Sequence, residues 1–278
     1  MATSEESRDR WIRAAKGWEA RADWFRAATM PVSAWLVEAL DPQPGATVLE
    51  LAAGIGDVGF LAAELLKPGG ALITSDFAPE MLAAAQRRAA QQGIDNVRFR
   101  QMDANLPLDQ PAASLDGVLC RWGYMLLNDG EDALRETRRV LKQDGRVALA
   151  VWCPPERNQW SAAGVRVLAA RGLTERLGAG PGQFNWSPAG ELEEHLAAAG
   201  FVDYRSEEID FALRYDSVDG WWVAMTQVSS IVAAVDERID HATRSDVLAD
   251  LERAAEPFLQ ADDSLVIPAA ARVAVATV

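Results

Sequence analysis

Between residues 46 and 152 the chain alternates short apolar runs with amphipathic stretches, and that rhythm confines it to a narrow set of folds. ATVLEL, starting at residue 46, reads as a strand, and a helix follows over about 58–66 until KPGG halts it. ALITSD at 71–76 is a second strand. Pro79 suits a first helical position, the helix runs to Gln92, and Gly93 supplies the left-handed stop. NVRFRQMD, SLDGVLCRW and RVALAVW add three more strands, with a helix over about 131–141 and a DG turn at 144–145 before the last. Strands with interposed helices pair in parallel through right-handed crossovers, so the expected class is α/β, a doubly wound, mostly parallel sheet. Ligands in such sheets sit beyond the carboxyl ends of the strands.

The flanks depart from this rhythm. Trp11, Ala15, Trp18, Ala22 and Phe25 recur at helical spacing and line one face, and a second short helix is predicted to start at Pro31 before DPQPG at 41–45 breaks the chain. After Trp152 about 50 residues pass before a helix end, a glycine stop at Gly200 and a long strand over 201–214. A helical block follows over about 218–260, and the apolar LVIPAAARVAVATV reads as an antiparallel last strand, a hairpin partner for 201–214. The expectation is one domain over 1–278: a cofactor-binding core at 46–152 under a helical cap built from 1–40, 153–200 and 216–260.

Charge narrows the partners. A formal charge of -14 sets up a field that repels phosphate backbones, which disfavours nucleic acid and suits a small apolar or cationic molecule. No run of eighteen apolar residues and no signal-like segment occurs, so neither membrane insertion nor export is expected and the cytoplasm is the expected compartment. Cys120 and Cys153 belong to no metal-binding spacing, and no metal is expected. The oligomeric state is not legible.

Gly54, Gly56 and Gly59 spell GxGxxG between a strand and a helix. Glycines let the backbone approach a ligand closely, and the helix N-terminus behind them offers free N–H groups; the spacing alone also fits a dinucleotide loop. Glu50 separates the two readings. A carboxylate four positions before Gly54 is unsuited to a pyrophosphate and suited to a ligand carrying positive charge.

With Glu50, Leu51, Ala52, Ala53, Gly54, Ile55 and Gly56 in this order, the chain resembles the class I S-adenosylmethionine-dependent methyltransferases, in particular the branch acting on ubiquinone, menaquinone and sterol-type small molecules. Ala52 stands where the family's motif has its first glycine. The resemblance implies that Asp76, at the end of the second strand, accepts from both ribose hydroxyls and that Phe77 lies against adenine. It implies that Asp103 accepts from the adenine amine while Met102 and Ala104 pack on the ring, and that Arg121 turns its backbone carbonyl to the cofactor's amino group. Trp18 and Met81 complete the implied cofactor shell. Local alternatives stand beside these roles: Asp76 as a cap of the Pro79 helix, Asp103 as a loop aspartate, the Arg121 side chain in a surface ion pair.

The resemblance further implies methyl transfer to an apolar small-molecule acceptor, with the O, N or C atom unresolved. The alternative is a cyclisation or rearrangement on the same bound cofactor. Where an acceptor needs a proton removed, the candidates are Tyr124, His195, His241 and Glu156. CPPE at 153–156 follows the fifth strand rather than the fourth, which sets aside a DNA-methylating motif. All ten tryptophans fall in the flanking segments or at strand ends, a distribution that suggests an aromatic chamber over the cofactor.

Overall fold

A computed structural model describes residues 4–174 and 182–278. Two helices, α1 (Ser4–Ala20) and α2 (Ala22–Leu40), precede β1 (Thr47–Glu50), α3 (Asp57–Leu65), β2 (Ala71–Asp76), α4 (Pro79–Gln92), β3 (Val97–Gln101), β4 (Leu115–Arg121), α5 (Gly130–Val140) and β5 (Leu141–Trp152). The second half adds α6 (Gln159–Ala170), α7 (Glu191–Ala198), β6 (Val202–Tyr215), α8 (Val218–Val228), α9 (Ser230–Asp236), α10 (His241–Ala255) and β7 (Leu265–Thr277). No described helix is long and apolar enough to cross a membrane.

The strands form one sheet in the order β3-β2-β1-β4-β5-β7-β6. The first five are parallel, and β7 runs antiparallel between β5 and β6. The doubly wound class and the terminal hairpin are thus as the sequence predicts. β1 pairs with β2 on one side and β4 on the other, so chain direction across the sheet reverses there. Glu50, the last residue of β1, lies opposite both Thr74 and Leu119 and therefore stands at the crevice where such sheets bind ligands. β7 is rich in buried alanine on both of its faces, at 269 and 271 on one and at 270, 274 and 276 on the other, and α2 and α6 pack against it.

Two predicted boundaries are wrong: the DG pair at 144–145 lies inside β5 rather than in a turn before it, and the second helix does not begin where expected. No helix starts at Pro31: the break falls at Arg21, and α2 runs unbroken through the proline. A proline inside a helix costs about 3 kcal/mol because its missing N–H and its ring disturb the preceding turn. Phe25, Val32, Leu36 and Leu40 on the same helix are almost wholly buried, each contributing about 1.5–3 kcal/mol, and that sum outweighs the local penalty. Thr29 and Ser33, buried on this helix, return their hydroxyls to the carbonyls of Phe25 and Thr29.

The N-terminal helix packs on α4 at one side and on α8 at the other. The second contact is intimate: a Cβ on Gly17 would lie 2.2 Å from the Gln227 carbonyl oxygen, a backbone atom that cannot turn aside. Gly17→Ala should therefore push α1 off α8 at a cost of about 1–3 kcal/mol. A lowered thermal midpoint is the expected result, whereas an unchanged one would show that the two helices do not meet this way.

Candidate active site

A cavity of about 140 Å³ opens at the carboxyl ends of β1, β2 and β4. Trp18, Glu50, Ala52, Gly54, Asp76, Phe77, Met81, Met102, Asp103, Ala104 and Arg121 all line it. Of the positions implied for the cofactor only Gly56 is missing from the wall. Its part is in the backbone: it caps α3 with φ of 85°, and a Cβ would lie 2.4 Å from the Phe60 ring. Ala52 also holds a positive φ, 48°, which is strained for a residue with a side chain. Its methyl finds room because Gly123 has none, a Cβ there falling 2.8 Å from it.

Glu50 is 3% exposed and accepts from the Gly59 N–H at 2.8 Å and from the Thr74 hydroxyl at 3.5 Å. A Cβ on Gly59 would sit 2.2 Å from the carboxylate. The third glycine of the motif therefore makes room for an acid, which is a different use from admitting a pyrophosphate. Burial pushes the Glu50 pKa up to about 7 against the pull of the Gly59 N–H and Arg121. Asp76 accepts from Gly54 N–H at 2.8 Å through one oxygen and from Ala78 N–H at 2.9 Å through the other, and burial raises its pKa to about 6. No side-chain bond caps α4, so Asp76 fixes the turn ahead of the helix and the glycine loop together. Asp103 accepts from both the backbone and side-chain nitrogens of Asn105 at 2.9 Å, which orders its loop.

The Arg121 side chain is not at the surface. Its guanidinium reaches the Asp57 carboxylate at 3.1 Å, donates to the hydroxyls of Thr29 and Ser33 at 2.9 and 2.8 Å, and lies 4.7 Å from the Trp122 ring centre. Burial lowers its pKa against the pull of Asp57. On its other side Asp57 pairs with Arg88 at 2.7 Å, and all three charged groups are nearly shut off from water. Sequence reasoning missed Asp57. The available signal was an acid opening a largely apolar helix, DVGFLAAEL.

None of the four base candidates lines this cavity or the one beside it. The Tyr124 hydroxyl is buried 2.6 Å from Thr137 Oγ1, and burial raises its pKa well above the usual value, so it stays protonated and has no basic form to take up a proton. His195 packs on Trp186 with ring centres 4.3 Å apart. His241 opens α10 on the surface and Glu156 is exposed on a short turn after β5. Local pattern could not show where these side chains point.

The second cavity, of about 300 Å³, is walled by Trp11, Trp18, Trp122, Trp152, Trp160, Met125 and Met225. Trp122 and Trp152 stack in parallel at 4.1 Å. Half of the tryptophans thus build the chamber. The rest serve elsewhere: Trp24 donates to the Arg214 carbonyl, Trp35 to Glu207, Trp221 to the Trp160 carbonyl and Trp222 to Asp236, while Trp186 stacks on His195. Ser7, Trp11, Trp18, Trp122 and Leu126 belong to both cavities, so the two adjoin.

A Rossmann-like sheet with an acid at the end of β1, a glycine loop and further acids after β2 and β3 defines a class of enzymes that bind S-adenosylmethionine. Comparison with known proteins agrees. A family model described as a methyltransferase domain matches residues 42–174. Nocamycin O-methyltransferase of Saccharothrix syringae is 32% identical over 204 residues, 69% of this chain and 72% of that one. Demethylmenaquinone methyltransferase of Thermus thermophilus is 36% identical over 165 residues, 55% of this chain and 73% of that one. Among solved structures the YcgJ protein of Bacillus subtilis has the same fold, with a TM-score of 0.59 at 21% identity, covering 88% of this chain and 97% of that one. The chain belongs to the class I S-adenosylmethionine-dependent methyltransferase family.

The raised pKa of Glu50 sets a direction for pH dependence. The folded protein holds the proton more tightly than the unfolded chain, so the stability of the ligand-free protein falls as pH rises from about 4.5 to 7, by about 3 kcal/mol from this group. Glu50→Gln should flatten that slope in thermal melts, and a slope left intact would assign it to other groups. Ionised Glu50 and Asp76 are the forms that attract an ammonium and accept from hydroxyls. S-adenosylhomocysteine should accordingly bind more tightly as pH climbs through 6 to 7, then level off; calorimetric titrations showing pH-independent affinity would remove both acids from the site.

Proposed function

We propose that this enzyme transfers a methyl group from S-adenosylmethionine to an apolar, ring-bearing small molecule held in the tryptophan-walled cavity. The observation that carries the proposal is the junction of the two cavities at Trp18, Trp122 and Leu126. A cofactor along the glycine loop and an acceptor among the indoles would meet there. Glu50, Asp76 and Asp103 offer acceptors for an ammonium, a ribose and an adenine amine, and Phe77, Met81 and Met102 offer apolar surface for the base. When bound, the cofactor supplies an electrophilic methyl group on a sulfonium. The names of the two relatives above, one a nocamycin and one a demethylmenaquinone methyltransferase, support a small-molecule acceptor.

The chain's own part is orientation and exclusion of water. Helices α1, α6, α8 and α9 roof the acceptor cavity and act as its cap. No Asp, Glu, His, Lys, Tyr or Cys among the described residues lines that cavity, so the protein contributes shape rather than a base. The indole faces also favour the sulfonium through cation–π attraction.

A screen of small aromatic acceptors with methyl-labelled cofactor should yield products heavier by one methylene. Products of unchanged mass would favour cyclisation or rearrangement instead. Trp152 lines only the acceptor cavity. Trp152→Ala should raise the acceptor KM tenfold or more, each tenfold being about 1.4 kcal/mol of lost ring contact, and leave S-adenosylhomocysteine affinity unchanged. An unchanged KM would place the acceptor elsewhere.

A further inference from the structure

The face of α1 that borders the acceptor cavity carries Ser7, Arg10, Trp11, Ala14 and Trp18, residues at successive helical spacings. Arg10, an exposed residue, is the one charged residue among the described lining residues, and among the described residues it has no carboxylate partner.

The uncharged polar groups of the same wall point to the same chemistry. The Ser161 hydroxyl donates to Gln183 Oε1 at 2.7 Å, which occupies the amide's acceptor and leaves its N–H₂ without a partner among the described residues. The indole N–H groups of Trp122 and Trp160 are buried with no acceptor among the described residues. Hydrogen-bonding capacity around the cavity is therefore unspent on the donor side, and no carboxylate offsets it. Buried or half-buried donors without acceptors are unfavourable, and a ligand rich in oxygen relieves them.

We propose that the acceptor is an anionic aromatic molecule, a ring system bearing a carboxylate or an enolate, with its negative group at Arg10 and its rings among Trp18, Trp122, Trp152 and Trp160. The proposal rests on the acceptor cavity assigned above and adds a negative group to the apolar rings placed there. Indole faces by themselves also welcome cations. A cationic ligand here would meet the Arg10 charge with no acid in the wall to compensate, and it would leave the Gln183 amide N–H₂ without an acceptor. A guanidinium can instead grip a carboxylate with two parallel hydrogen bonds.

The test is calorimetric titration of the full chain saturated with S-adenosylhomocysteine, using three isosteric probes: 2-naphthoate, 2-naphthylmethanol and 2-naphthylmethylammonium. Saturation is checked first. Failure of S-adenosylhomocysteine to bind would refute the cofactor site and the methyltransferase reading, independently of the probes. With the cofactor product in place, naphthoate should bind roughly five- to tenfold more tightly than the alcohol, and the ammonium more weakly than either. Arg10→Gln should erase the preference for naphthoate and leave the affinities for the alcohol and for S-adenosylhomocysteine unchanged. Equal or tighter binding of the ammonium, a preference that survives Arg10→Gln, or no binding of naphthoate would each overturn the proposal.

Discussion

The carboxylate of Asp57, held between Arg88 and Arg121, is the contact on which the rest of the site depends. It begins α3 directly behind the glycine loop, while its partners come from α4 and from the end of β4. Through Arg121 the network continues to Thr29 and Ser33 on α2, so four elements are held at one end of the sheet by a single buried acid. Removing one member of such a network leaves charge without compensation in a place water cannot reach, typically at 3–5 kcal/mol. The arrangement is costly to build and costly to break, and it gives the loop one position rather than several.

Around that fixed loop the protein keeps two acids in states that a ligand would improve. Glu50 and Asp76 are buried with their oxygens turned to backbone N–H groups, and burial lifts both pKa values toward neutrality. Near pH 7 the ligand-free protein therefore carries acids that are only partly content as anions. A cationic, hydroxyl-bearing cofactor is the kind of partner that repays this tension, because it returns the charge and hydrogen bonds that burial removed. Gly59 makes the arrangement possible, since any side chain there would occupy the space of the Glu50 carboxylate.

The tryptophan-walled cavity is assembled on a different principle. Its walls come from α1, the ends of β4 and β5, α6 and the α8–α9 corner, which no stretch of local sequence joins. Gly17 on α1 and Gly164 on α6 allow the helices to close over it, the first against the Gln227 carbonyl and the second against the Met225 sulfur. The parallel stack of Trp122 on Trp152 ties the ends of adjacent strands into one flat aromatic surface. Volume, flatness and polarity of the chamber are thus properties of the packed cap and sheet together.

The sheet, the antiparallel terminal hairpin and the cofactor loop were legible in the residues alone, because they rest on short-range facts. Apolar runs with glycine stops define strands and helices, and an acid at a strand end before a glycine turn is a local arrangement whose position follows from the strand itself. What tertiary structure decided depends on partners far along the chain. Pro31 stays inside α2 because the helix face around it is buried against the sheet, Arg121 turns inward because Asp57 and α2 receive it, and Tyr124 and His195 are taken up by Thr137 and Trp186. The ten tryptophans advertised an aromatic chamber, yet only packing could choose which five would wall it, since an indole's use is fixed by what lies across from its face.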